Sequence, residues 1–142
     1  MLRLNKEKAK EKKIGSFSVL TLRLSGMRFT TEYEIVSEGP NAECSRYAIR
    51  FGDHTDPRVL EMRAVCDTLR VLELMDRCKL LSWDGFCGAH PKGVLDGTMF
   101  SLSAVVNDHQ KIRASGSQNF PKHFRELTDG IEEILQGGAG SK

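Results

Sequence analysis

Two stretches of strict two-residue alternation constrain this chain more than anything else in it. Between Arg28 and Ser37, Phe29, Thr31, Tyr33 and Ile35 fall on one side, and Arg28, Thr30, Glu32 and Glu34 on the other. Between Thr98 and Val106, Phe100, Leu102, Ala104 and Val106 oppose Met99, Ser101, Ser103 and Val105. Side chains alternate across a strand, so this spacing gathers its apolar residues on one face only as a β-strand. Charges opposite the apolar side of Arg28–Ser37 mark an antiparallel sheet with one wet face.

The remaining segments read against that sheet. Ser16 to Ser25 is a strand with Leu20, Leu22 and Leu24 on one side and Val19, Thr21 and Arg23 on the other; Ser25-Gly26-Met27 is a hairpin signal. Glu38-Gly39-Pro40-Asn41 is a turn, followed by a third strand from about Glu43 to Phe51 with Tyr47, Ile49 and Phe51 expected inward. Asp56 as a cap and Pro57 at a first helical position predict a helix from Pro57 to about Cys78. Its stripe is Met62, Val65, Leu69, Leu72 and Met75 or Asp76, widened by Cys66. Asn107-Asp108 turns the fourth strand into a short fifth one, Lys111 to Ala114. A closing helix is expected from Phe120 or Pro121, with Phe124, Leu127, Ile131, Ile134 and Leu135 as its stripe. Gly130 inside it costs about 1 kcal/mol relative to Ala and marks a close crossing.

The expected architecture is a single α+β domain over residues 15–136, ordered β-β-β-α-β-β-α. Its sheet is mostly antiparallel, with both helices on one face. Residues 1–14 read as a basic flexible tail, frayed or disordered, and 137–142 as a flexible Gly-rich tail.

At 142 residues the chain is long enough for one real core. It has no apolar run near the ~20 residues that span a bilayer and no apolar segment of a secretory signal at its start. The expectation is a cytoplasmic protein without a membrane span. Charge is unevenly placed. Residues 1–14 carry six Lys or Arg against two Glu, so the rest of a chain with net charge +2 is left at −2. A duplex-binding domain carries its positive charge on the folded body. Nucleic acid is therefore not an expected partner, except through the basic tail. Cys44, Cys66, Cys78 and Cys87 include no C-x-x-C pair, so neither a metal site nor any other cofactor is expected. A cytosolic chain is not expected to form disulfides.

The candidate site is Ser115-Gly116-Ser117-Gln118-Asn119-Phe120-Pro121-Lys122-His123-Phe124, where the last strand meets the last helix. Ser115, Gly116, Ser117 and Asn119 can offer free amides to an anion at a helix N-terminus, with Lys122, His123 and Arg125 in the following turn. The alternative is a tight turn in which Ser117 or Asn119 caps the helix. Cations are mildly unfavourable at a helix N-terminus unless something negative is near, which keeps the first reading open. The second candidate surface is the Gly-rich connection from Leu80 to Gly97, with Trp83, Asp84 and Phe86. Its aromatic residues either anchor on the core or face a partner. Ser115, Ser117, His123 and Asp96 have the residue types of nucleophilic catalysis, but no G-x-S-x-G elbow frames them.

Trp83-Asp84-Gly85-Phe86, Leu95-Asp96-Gly97 and Ala114 to Pro121 together resemble a pattern found in a family of small uncharacterised bacterial α+β domains. The resemblance covers the second half of the chain, and implies a bacterial origin and this strand–loop–helix order, with no activity to carry over. The function expected is a small intracellular binding or interaction module, non-catalytic, with a protein partner or self-association. The alternative is a binder, less readily a hydrolase, of a phosphorylated or other anionic small molecule at residues 115–125.

Overall fold

Alternation builds most of a seven-stranded sheet, and one strand arises where the spacing suggests a helix. The computed structural model describes residues 13–27, 29–49, 58–93 and 97–140. The strands are β1 (Phe17–Ser25), β2 (Thr30–Glu38), β3 (Asn41–Ile49), β4 (Arg58–Asp67), β5 (Cys87–Gly88), β6 (Met99–Val106) and β7 (Gln110–Ser117). Helix α1 is Thr68–Arg77, a 3₁₀ turn spans Leu80–Trp83, and α2 is Phe124–Gly140. The spatial order is β4-β3-β2-β1-β6-β7-β5, antiparallel except where β5 runs parallel to β7. The chain thus meanders out to β4, then crosses the sheet through α1 to β5 at the opposite edge.

The element order therefore differs from the expected β-β-β-α-β-β-α. Arg58–Asp67 is a strand paired along its length with β3, and only Thr68–Arg77 is helical. The spacing Met62–Val65–Leu69 spans two elements. In β4, Met62, Ala64 and Cys66 turn inward by twos, and Leu69 is exposed. Pairing satisfies the backbone of β3, which no local propensity of residues 58–67 registers. Thr68 then fixes the start of α1: its N–H donates to Pro40 O at 2.8 Å and its Oγ1 to Gly39 O at 2.9 Å. The expected Asp56 cap and Pro57 start lie outside the described residues.

The face of β3 also differs. Tyr33 pairs with Arg46 and Ile35 with Cys44, so Ala42 and Cys44 join the core, while Tyr47 and Ile49 stand on the other face beside Glu32. That second face is not uniformly wet. Glu32 is only 8% exposed, clamped by Arg23 at 2.9 Å and Arg58 at 3.2 Å, and Arg58 lies 4.1 Å over the Tyr47 ring.

The core gathers Leu20, Leu22, Ile35, Leu102, Ile112, Ile131 and Leu135 on the other side of the sheet. Here α2 is tied to three strands. Tyr33 donates its hydroxyl to Glu132 at 2.6 Å, Arg46 donates to Glu132 at 2.7 Å, and Gln136 reaches the Met62 sulfur at 3.9 Å. Gly130 is the close crossing: a Cβ there would come 2.5 Å from Leu74 Cδ1 of α1. At the chain's near end, Ile14 is buried and its N–H donates to Asp76 Oδ1 at 3.0 Å, so the ordered body begins before residue 15. At the far end, residues 137–140, expected as a flexible tail, continue α2. No helix among the described residues is long and apolar enough to cross a membrane.

Candidate functional site at the last strand-to-helix junction

The two candidate stretches fold against each other. Strand β5 places Cys87 opposite Ser115 and Gly88 opposite Gly116. Asp84 Oδ1 accepts the Arg113 N–H at 3.0 Å, and Asn119 Nδ2 donates to Ala89 O at 3.2 Å. His90 Nδ1 lies 2.8 Å from Ser117 Oγ. The two glycines permit this approach: a Cβ on Gly88 or Gly116 would run into the backbone carbonyl of Asn119. The long connection that includes Trp83 thus carries structure of its own, a 3₁₀ turn and a two-residue strand.

That closure changes the chemistry available at Ser115–Asn119. Strand β7 extends through Ser117, three residues beyond the expected Ala114. The Ser115 N–H donates to Phe86 O at 3.0 Å and the Gln118 N–H to Thr98 O at 2.7 Å. Of the amides expected to cradle an anion, that of Ser115 is therefore engaged, as is that of the neighbouring Gln118. The helix begins only at Phe124, because Gln118 and His123 adopt left-handed φ values of 51° and 70° that interrupt the chain before it.

What stands at the helix N-terminus is a carboxylate of the protein itself. Glu126 occupies the first turn of α2, where the helix dipole favours a negative group. His123 Nδ1 meets Glu126 Oε1 at 3.0 Å and Arg77 Nε meets Oε2 at 3.1 Å. This accounts for cations at a helix start: Glu126 is the negative partner. Lys122 and Arg125 are exposed, and Arg125 forms no ion pair among the described residues.

The aromatic residues divide between core and cleft. Trp83 is 2% exposed and stacks on Phe124 with ring centroids 6.0 Å apart, so it anchors the core. Phe86 is half-buried, 6.1 Å from Phe100. Phe120 stacks on Phe124 at 4.6 Å. Beside this pair opens a cleft of ≈570 Å³. Leu24, Phe120, Pro121 and Phe124 give it an apolar floor, and His123, Arg125 and Glu126 a polar rim. Of the residues singled out in the sequence, His123 and Arg125 belong to this cleft. Ser115, Gly116 and Ser117 line a different hollow, Asp84 and Asn119 hold backbone in place, and Trp83 is interior.

The second hollow, ≈380 Å³, lies on the face of the sheet away from α2. Arg23, Met99, Ser101, Ser115 and Ser117 line it. A neighbouring hollow of ≈390 Å³ shares Ser101 and Ser115 and adds Thr21, Ser103 and Arg113. Sequence reasoning missed this surface, although the signal is present. Four outward positions of β6 and β7, Ser101, Ser103, Ser115 and Ser117, are serines where a purely solvated face more often carries long charged side chains.

Three of the cysteines are held as thiols. Burial pushes the Cys44 thiol up to about 12 and the Cys78 thiol up to about 11, and burial also raises Cys66. Cys87 is exposed. Among the described residues, no three His, Cys, Asp or Glu side chains come together as a metal site. No protein-family model, no curated protein and no solved structure matches this chain.

Proposed function

We propose that this protein is a non-catalytic binding module whose ligand occupies the cleft between Leu24 and the start of α2. The observation that carries this reading is the pairing of an aromatic floor, Phe120 and Phe124, with a rim cation, Arg125, that no carboxylate of the described residues neutralises. Mostly apolar concavities with a few placed polar groups are the usual form of small-ligand sites. The ligand that fits is a small molecule or chain end with an apolar body and one anionic group. His123 and Glu126 pair with each other, and the hydroxyls that line the cleft, Thr98 and Thr128, hydrogen-bond to neither, which favours binding over catalysis. A ligand bound only by the native state raises its stability. A thermal-shift panel of aromatic carboxylates and their uncharged amides should show Tm rises for the acids alone, removed by Arg125→Ala. Equal responses of acids and amides, or undiminished shifts in the variant, would refute the reading.

A second reading rests on the serine-lined hollow. Ser101, Ser115 and Ser117 present hydroxyls beside Arg23, a set suited to a phosphorylated small molecule. In the same assay, a shift from phosphate monoesters abolished by Ser115→Ala and unaffected by Arg125→Ala would favour this hollow.

A further inference from the structure

The two edges of the sheet differ in how they end. Beyond β7 the segment 84–88 donates and accepts backbone hydrogen bonds and closes the sheet with a two-residue strand. Among the described residues no strand lies beyond β4, and β4 is ten residues long. Val59 is 41% exposed, Leu60 46% and Val65 58%. A long edge strand carrying apolar side chains is a template for pairing with another chain.

The residues of β4 specify which chain. Pairing with β3 skips Glu61, which is bulged out, and leaves nine paired positions: Arg58, Val59, Leu60, Met62, Arg63, Ala64, Val65, Cys66 and Asp67. Residues directly opposite in an antiparallel pair lie on the same sheet face, so a strand can pair with its own two-fold copy only when the axis passes through a residue. The one such register that uses all nine positions is centred on Arg63. It sets Arg58 against Asp67, Leu60 against Val65, Val59 against Cys66 and Met62 against Ala64, each twice. Opposite charges meet at the two ends and apolar residues meet between them, Leu60 and Val65 both exposed, the combinations that stabilise cross-strand pairs. Only Arg63 meets its own kind on the axis. That charge is balanced within its own chain, since Arg63 lies 3.8 Å from Glu43 and donates to Ser45 Oγ at 3.0 Å.

We infer that β4 is a self-association edge: two copies of this chain pair β4 to β4 antiparallel about Arg63, making one continuous sheet twice as wide. Nothing in this depends on the ligand cleft, which lies at α2's start. Light scattering coupled to size exclusion tests it with two double variants, both at exposed positions. The wild type should run at twice the chain mass of 15.9 kDa. L60K/V65K places like charges opposite each other twice and should yield monomer. L60E/V65K places opposite charges there and should restore the dimer. A monomeric wild type overturns the proposal. So does a dimer that both variants leave intact, or one that neither variant allows while circular dichroism shows both folded.

Discussion

The β7 edge and the β4 edge of the same sheet are held in opposite ways. The β7 edge is closed by fit between backbones: Gly88 and Gly116 let the Asn119 carbonyl settle where a side chain could not, and main-chain amides of Gly85 and Ser115 complete the pairing. The β4 edge is held from behind by charged side chains. Arg46 joins Glu132 of α2 to Glu61, the bulged residue of β4, and Arg58 reaches back to Glu32 and the Tyr47 ring. Where backbone closes an edge, side chains there are free to line hollows. Where side chains brace an edge, as at β4, no described strand pairs with its outer side.

The largest test of this contrast is steric. Gly116→Val at the closed edge should cost about 3 kcal/mol in urea unfolding, because β7 must move away from Asn119. Val65→Ala at the open edge should stay within about 0.5 kcal/mol for the monomer, as exposed substitutions do. Comparable losses at the two positions would remove the distinction.

Next in size is the bracing carboxylate. Burial pushes the Glu132 carboxyl up, but hydrogen bonds from Tyr33 and Arg46 outweigh it and hold the group below its ordinary value of 4.5. Burial first, and then the hydrogen bond to Glu132, raise the Tyr33 phenol well above its ordinary range. A carboxyl depressed in the folded state binds fewer protons than in the unfolded chain, so its contribution is complete above the unfolded value and is lost as pH falls through the folded one. Glu132→Gln should cost about 1.5 kcal/mol at neutral pH. It should also shrink the loss of stability seen on acidification below pH 4.5. An unchanged acid limb would mean that other carboxylates carry it.

The smallest effect is local. Asp84→Ala removes the acceptor for the Arg113 amide and should cost about 1 kcal/mol. Amide exchange at Arg113 should speed up, while Tyr33 and Arg46 on the far side of the sheet keep their protection. Acceleration spread evenly over the sheet would indicate that the closing segment is not a separable unit.

Much of this arrangement was legible before the structure. The alternation in residues 17–25, 30–38 and 99–106 located β1, β2 and β6, and Gly130 announced the helix crossing. Strand β4 was not legible, because its apolar residues also satisfy a three-four spacing when read together with Leu69 and Leu72 of the next element. Nor was β5, since two residues carry no periodicity. The junction and the Trp83 connection form one surface, in which the Ser115 amide donates to Phe86 and the Gln118 amide to Thr98.

By itself the sequence determined which residues alternate, where turns interrupt them and which stripes need cover, since these depend on side chains a few positions apart. Tertiary structure decided the rest. Whether residues 58–67 became strand or helix depended on β3 needing a partner. Whether Ser115–Asn119 left its amides open depended on a segment thirty residues earlier returning to pair with them. Backbone hydrogen bonds between distant segments are indifferent to side-chain identity, so a local pattern cannot announce them.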